Sequence, residues 1–140
     1  MATWKLYGAV ALALAGGWGG RASQPVPTQP QVARRFLLDI LRADYPAAYR
    51  RLAPEVRLAL PPAAFAVAAQ PLAQQAQVRG SAIELYQLGA WLGTPPQPNR
   101  WFCRFSFASD SARRPPPVLL EVTFRDTAAR AVLGFRLRQR

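Results

Sequence analysis

The chain has 140 residues, of which 51% are hydrophobic, with a formal net charge of +11, one cysteine and no histidine. This length gives a prior of one domain, able to bury roughly two-thirds of the surface its unfolded chain exposes. A single cysteine closes no internal disulfide. Without histidine the usual nitrogen ligands of zinc, copper or iron and the commonest general base are both missing, so disulfide scaffolds, metalloenzymes and Ser-His-Asp or Cys-His hydrolases are excluded.

Residues Met1 to Ala22 open with a short head carrying Lys5. An apolar run from Leu6 to Leu14 follows, then a glycine-rich tail ending in small residues. That order is the one of a secretory signal peptide with cleavage after Ala22, and the run is shorter than the roughly 20 residues that span a bilayer. The expectation is an exported protein, periplasmic or secreted. From Ser23 to Gln31, SQPVPTQPQ reads as an extended, proline-rich tether, so the domain organisation is 1–22 signal, 23–31 tether and 32–140 one folded domain.

Val32, Phe36, Leu37, Ile40 and Leu41 lie on one stripe of a helix, with Arg34, Arg35, Asp39 and Arg42 opposite, which predicts a first helix over Gln31 to Ala43. Asp44 stands where an N-cap belongs and Pro46 falls in the first turn of a short second helix, Tyr45 to Leu52. Pro54 and the Pro61-Pro62 pair interrupt the chain. A third helix starts at Pro62 or Ala63 and ends by Gly80; Pro71 inside it predicts a kink or break at Gln70.

Past Gly80 the period changes to two. Trp101, Cys103, Phe105 and Phe107 alternate with Arg104 and Ser106; Val118, Leu120, Val122 and Phe124 alternate with Glu121, Thr123 and Arg125; Leu133, Phe135 and Leu137 alternate with Gly134, Arg136 and Arg138. A less regular fourth segment, Ala82 to Leu92, reads as the first strand, with Gly89 as the candidate bulge. The proline-rich connections GTPPQPN and SDSARRPPP suit no crossover helix. Asp126 to Ala129 is short enough only for a hairpin, so the sheet is an antiparallel meander. The hairpin register expected is Val122 facing Leu133, Leu120 facing Phe135 and Val118 facing Leu137, with Glu121 diagonal to Arg136 on the outer face.

Three N-terminal helical segments packed on a four-stranded antiparallel sheet make an α+β domain. In this order the sequence resembles the cystatin-like, nuclear transport factor 2-like superfamily, in which small exported bacterial domains occur. The likeness is carried by VARRFLLDIL, by DYPAAYRRLAPEVR, by Gly80 before the first strand, and by WFCRFSF and LLEVTFRDTAARAVLGFRL. It implies a cone between sheet and helices. It also admits isomerase- or cyclase-like enzymes, whose cone holds a carboxylate base and an oxyanion donor. Neither role carries over to a residue here: Asp39 and Asp44 flank a helix end, Asp110 and Asp126 fall in turns, Glu84 and Glu121 alternate outward, and Glu55 falls in a loop.

Two candidate surfaces remain. Tyr49, Tyr86, Trp91 and Trp101 belong to an aromatic set that either lines an apolar pocket or fills the core. Arg104, Arg125, Arg136 and Arg138 share the outer sheet face, with Glu121 as their sole nearby acid. They read either as a solvated face or as a site for phosphate or lipid headgroups. Of the 18 basic residues only Lys5 is lysine, and codon bias toward G and C accounts for an arginine excess as readily as selection for an anionic partner. Cys103 alternates inward and reads as packing. No cofactor is called for, and nucleic acid is disfavoured by the absence of any binding module, the near absence of lysine, and export. The leading expectation is an exported, non-catalytic domain that binds a small apolar ligand or a protein partner. The alternative is a basic sheet face that binds anionic lipid, polysaccharide or polyphosphate, and an isomerase- or cyclase-like enzyme comes third. A homodimer through the outer face, where Phe102, Leu119 and Val132 add apolar groups, is also expected, against the repulsion of the arginines.

Overall fold

The computed structural model describes residues 25–140, so the signal expected over 1–22 and residues 23–24 of the tether lie outside the described residues. Helix α1 (Gln29–Leu41) begins at a capping box. The Thr28 hydroxyl accepts from the Gln31 amide, and the Gln31 side chain accepts from the Thr28 amide at 2.9 Å. With Pro30 in the first turn, where a missing N–H is harmless, this cap ends the extended segment at Thr28, earlier than the expected Gln31. At the other end Ala43 takes a left-handed φ of 59°, with Ala43 N–H donating to Ile40 O and Asp44 N–H to Asp39 O, both at 2.8 Å. This is the paired closure that normally uses glycine. Asp44 then caps α2 (Tyr45–Arg50) through the Ala47 amide.

Four helices are present among the described residues, one more than expected. Pro54, read above as an interruption, is the first residue of α3 (Pro54–Ala59), and Glu55 beside it complements the positive end of the helix. The break expected at Gln70 does not occur, since α4 (Pro62–Arg79) runs through Pro71. Pro71 and Val67, the residue four back whose carbonyl loses its partner, both lie on the exposed side, where water replaces the lost donor. Gly80 ends α4 at a φ of 83°, a conformation that a side chain would oppose.

Strands β1 (Ile83–Trp91), β2 (Arg100–Phe107), β3 (Val118–Phe124) and β4 (Gly134–Gln139) form an antiparallel sheet in the order β1-β2-β3-β4. The α+β meander is as the alternation predicts, but two local expectations fail. The bulge is at Tyr86, between the pairs Leu85–Phe105 and Gln87–Arg104, instead of at Gly89. Gly89 is small for a different reason: it faces Phe102, and a Cβ there would lie 2.4 Å from the Phe102 ring. The β3–β4 register is offset by two residues, pairing Val122 with Phe135, Leu120 with Leu137 and Glu121 with Arg136 directly. The cause lies in the connection. Val132 leaves the sheet to bridge Leu52, donating to Arg51 O at 2.9 Å and accepting from Ala53 N at 2.8 Å, so β4 starts later than a tight hairpin would allow. Val132 is therefore fully buried beside the helices and adds nothing to the outer face. An offset of two keeps every side chain on its expected side.

The helices cover the face formed by Ile83, Cys103, Phe105, Phe107, Val118, Leu120, Val122 and Phe124, all buried. Between the layers the Phe36, Phe65 and Phe135 rings meet with centres 5.4–6.2 Å apart, and Tyr49 packs edge-on to Phe65 at 5.5 Å. Burial pushes the Cys103 thiol up to about 11. It should therefore be inert to thiol reagents at pH 8 in the native protein and react fully once denaturant is added; rapid native labelling would contradict the packing. Replacing Ala43 with glycine relieves the left-handed conformation and should stabilise the fold by about 1 kcal/mol, read as a midpoint shift in urea unfolding.

Candidate functional site

The outer face of the sheet is built around a charge. Glu121, in the middle of β3, is 1% exposed although it points away from the helices. Its flanking strand neighbours are Arg104 on β2 and Arg136 on β4, and Arg138 lies one pleat further along β4. Glu121 Oε1 accepts from Arg136 Nε at 2.9 Å; Oε2 accepts from Arg104 Nε at 2.8 Å and from an Arg138 terminal nitrogen at 3.3 Å. Three guanidiniums thus share one carboxylate. Burial raises the Glu121 carboxyl, and the hydrogen bonds and charges of Arg104 and Arg136 outweigh that cost, holding it below its ordinary value.

Aromatic rings shield this cluster. The Arg104 guanidinium lies 4.2 Å from the Phe102 ring centre and 5.3 Å from that of Trp91, while Arg136 and Arg138 each lie 5.7 Å from Trp91. Gln87 accepts from Arg104 at 2.8 Å and holds it down. The rings explain how a carboxylate on the solvent side of a sheet loses its water, and they favour guanidinium over ammonium at all three positions. Arg136 and Arg138 keep side-chain exposures of 53% and 40%, so most of their donors still face solvent.

Two depressions flank the cluster. One, of about 400 Å³, is lined by Trp91, Arg100, Glu121, Thr123, Gly134 and Arg136; the other, of about 270 Å³, by Arg104, Leu119, Arg138, Arg140 and the prolines Pro116 and Pro117. Each has arginines at its wall. The other arginines with ionic partners are matched one to one: Arg51 with Asp39, Arg79 with the buried Asp110, and Arg125 with Glu55.

Of the four arginines assigned to this face from sequence, Arg104, Arg136 and Arg138 come together. Arg125, just past the end of β3, turns instead to Glu55 on α3. The four aromatics do not converge. Tyr49 donates its hydroxyl to the Arg57 and Leu60 carbonyls at 2.9 and 2.8 Å, tying α2 to α3. Tyr86 sits in the bulge, and Trp101 pairs with Phe124 on the inner face. Trp91 is on the outer face because the Tyr86 bulge reverses the alternation of β1 after Leu85. Glu121 does alternate outward as expected, but it is buried there by its arginines. Arg100, Arg140 and Gln87 complete the surface; the parity of β2 and β4 signalled the first two, whereas Gln87 depended on the bulge.

A largely apolar groove of about 420 Å³ runs between α3, α4 and β4, lined by Val56, Leu60, Ala68, Leu72, Phe135 and Leu137 among others, and it shares Gly134, Phe135 and Arg136 with the first depression. None of the four predicted aromatics lines it. Among the described residues no three His, Cys, Asp or Glu side chains lie together as a metal site, and no helix is long and apolar enough to cross a membrane. No family model, curated protein or solved structure matches the chain.

The Glu121 cluster should make stability acid-sensitive. Its carboxyl is depressed in the folded state, so its contribution is complete above the unfolded value of about 4.3 and is lost as pH falls below that through the folded value. Glu121→Ala should cost about 3 kcal/mol, the lower end for a broken buried pair because Arg136 and Arg138 regain water. It should also flatten the dependence of urea midpoint on pH below 5. An unchanged midpoint at neutral pH would show the carboxylate to be incidental.

Proposed function

We propose that the protein is an exported, non-catalytic binding domain whose working surface is the outer sheet face, and that it engages anionic polymers rich in phosphate, sulfate or carboxylate groups. The observation that carries this reading is the convergence of Arg104, Arg136 and Arg138 on the single buried carboxylate of Glu121. One negative charge against three positive ones leaves the cluster cationic, fixes the guanidiniums in place, and spares donors for a ligand, so little side-chain entropy remains to be lost on binding. Arginine-walled depressions on both sides favour an extended ligand over a single small anion. The resemblance to the cystatin-like, nuclear transport factor 2-like superfamily supports the same reading at the level of layout alone, since fold does not fix function.

A second reading, a small apolar ligand, rests on the groove between α3, α4 and β4. Its lining is apolar except for Arg136, whose guanidinium is already engaged by Glu121, and the space between sheet and helices is occupied by phenylalanine rings.

The test compares Arg136→Ala plus Arg138→Ala with Arg34→Ala plus Arg35→Ala on the exposed side of α1. Probes are a sulfated polysaccharide, inorganic polyphosphate and vesicles containing phosphatidylglycerol, and binding should weaken as salt rises. The outer pair should lose about tenfold or more, equivalent to about 1.4 kcal/mol, with little loss from the α1 pair. Arg100→Ala plus Arg140→Ala, which leaves Glu121 paired, repeats the comparison without disturbing the cluster. Equal losses from inner-cluster, flanking and α1 pairs would show charge without a site.

A further inference from the structure

Strand β1 is an edge of the sheet, and among the described residues its second side makes no backbone hydrogen bond. Natural edge strands are protected by lysine, proline, shortness or a covering element. β1 is nine residues long, IELYQLGAW, with no basic residue, no proline and Glu84 as its one charge. Its main packing partner is β2, while the helices lean on β2 and β4. Leu85, Tyr86, Leu88 and Trp91 are exposed by 44%, 44%, 57% and 41%. The bulge at Tyr86 protects only the first half. Beyond it, Gln87 to Trp91 is a regular, unprotected segment.

We propose that the occupant of this edge is a second copy of this chain, paired antiparallel through Gln87–Trp91 to give a continuous eight-stranded sheet. The inference is independent of anion binding at the outer face. Charge decides the occupant. In a chain with 18 basic and 7 acidic residues, a strand segment free of charge is where two copies approach with least repulsion. A two-fold axis at Gly89 sets Leu88 of one copy beside Ala90 of the other on the inner face, and Gln87 beside Trp91 on the outer face. The same arrangement keeps the arginine clusters apart: five strand spacings separate the two Glu121 positions by roughly 24 Å, well beyond the screening length of about 8 Å in physiological salt. Face-to-face pairing of the outer surfaces would instead press the two clusters together. Edge pairing is isologous and closed, because each copy uses up β1, while β4, the other edge among the described residues, is guarded by the charges of Arg136 and Arg138.

Sedimentation equilibrium of the purified chain should show a dimer, with β1 amides protected from hydrogen exchange. Leu88→Lys, on an already exposed side chain, should weaken dimerisation by about tenfold or more with an unchanged far-ultraviolet spectrum, and Ala90→Lys should do the same if Leu88→Lys folds poorly. Arg136→Ala plus Arg138→Ala should leave the dimer intact. The proposal is overturned by a monomer at high concentration, including one whose β1 amides are protected by residues 1–24 of its own chain. A dimer that survives both lysine substitutions also overturns it, as does one that depends on the outer arginines.

Discussion

One buried carboxylate organises the solvent side of this domain. A glutamate in the middle of a sheet normally extends into water, and the cost of taking it out is recovered only if opposite charges and donors are held close. Here the neighbouring strands supply them from both sides at positions fixed by register, so Arg104 and Arg136 reach Glu121 along the hydrogen-bonding direction and Arg138 along the pleat. The strands on either side are in turn constrained. A slip of one residue would put Glu121 into the phenylalanine core and leave three guanidiniums without a counter-charge. The polar face therefore specifies register as strongly as the apolar face does.

The layout was legible in the sequence wherever periodicity had one physical cause. Val32 to Leu41 showed its helical stripe, and Val118 to Phe124 its alternation, because each buries a single face against a single layer. The failures came where a local rule met a non-local contact. Pro54 and Pro71 look alike as helix breakers; the first sits at a helix start and the second on a wet helix side, and neither setting can be read from the dipeptide around it. The β4 register depended on Val132 being held by Leu52, eighty positions earlier in the chain.

The site was half legible for a related reason. Strand parity grouped Arg104, Arg136 and Arg138, which lie on regular strands, but it misplaced Arg125 at a strand end and carried no warning that Glu121 would be enclosed. Trp91 was grouped with Tyr49, Tyr86 and Trp101 as pocket or core, since the irregular first strand offered no parity to place it. The bulge at Tyr86 inserts one residue, reverses the parity, and converts a core aromatic into the ring that shields the arginines. Bulges leave almost no trace in composition, so a surface that depends on one is hidden from pattern reading.

The bridge between Leu52 and Val132 also bears on when the protein folds. It ties the helical layer to the last strand, and Val132, Phe135 and Leu137, which complete the core, all belong to the final stretch of the chain. Residues up to Phe124 can pair three strands, yet they leave the α2–α3 corner unanchored and one flank of the phenylalanine cluster open until Val132 and Phe135 dock. Domains fold as units, and this one closes only once residues 132–137 are in place. Such a late closure makes the helical layer and all four strands one cooperative unit, with no smaller part that buries its own core.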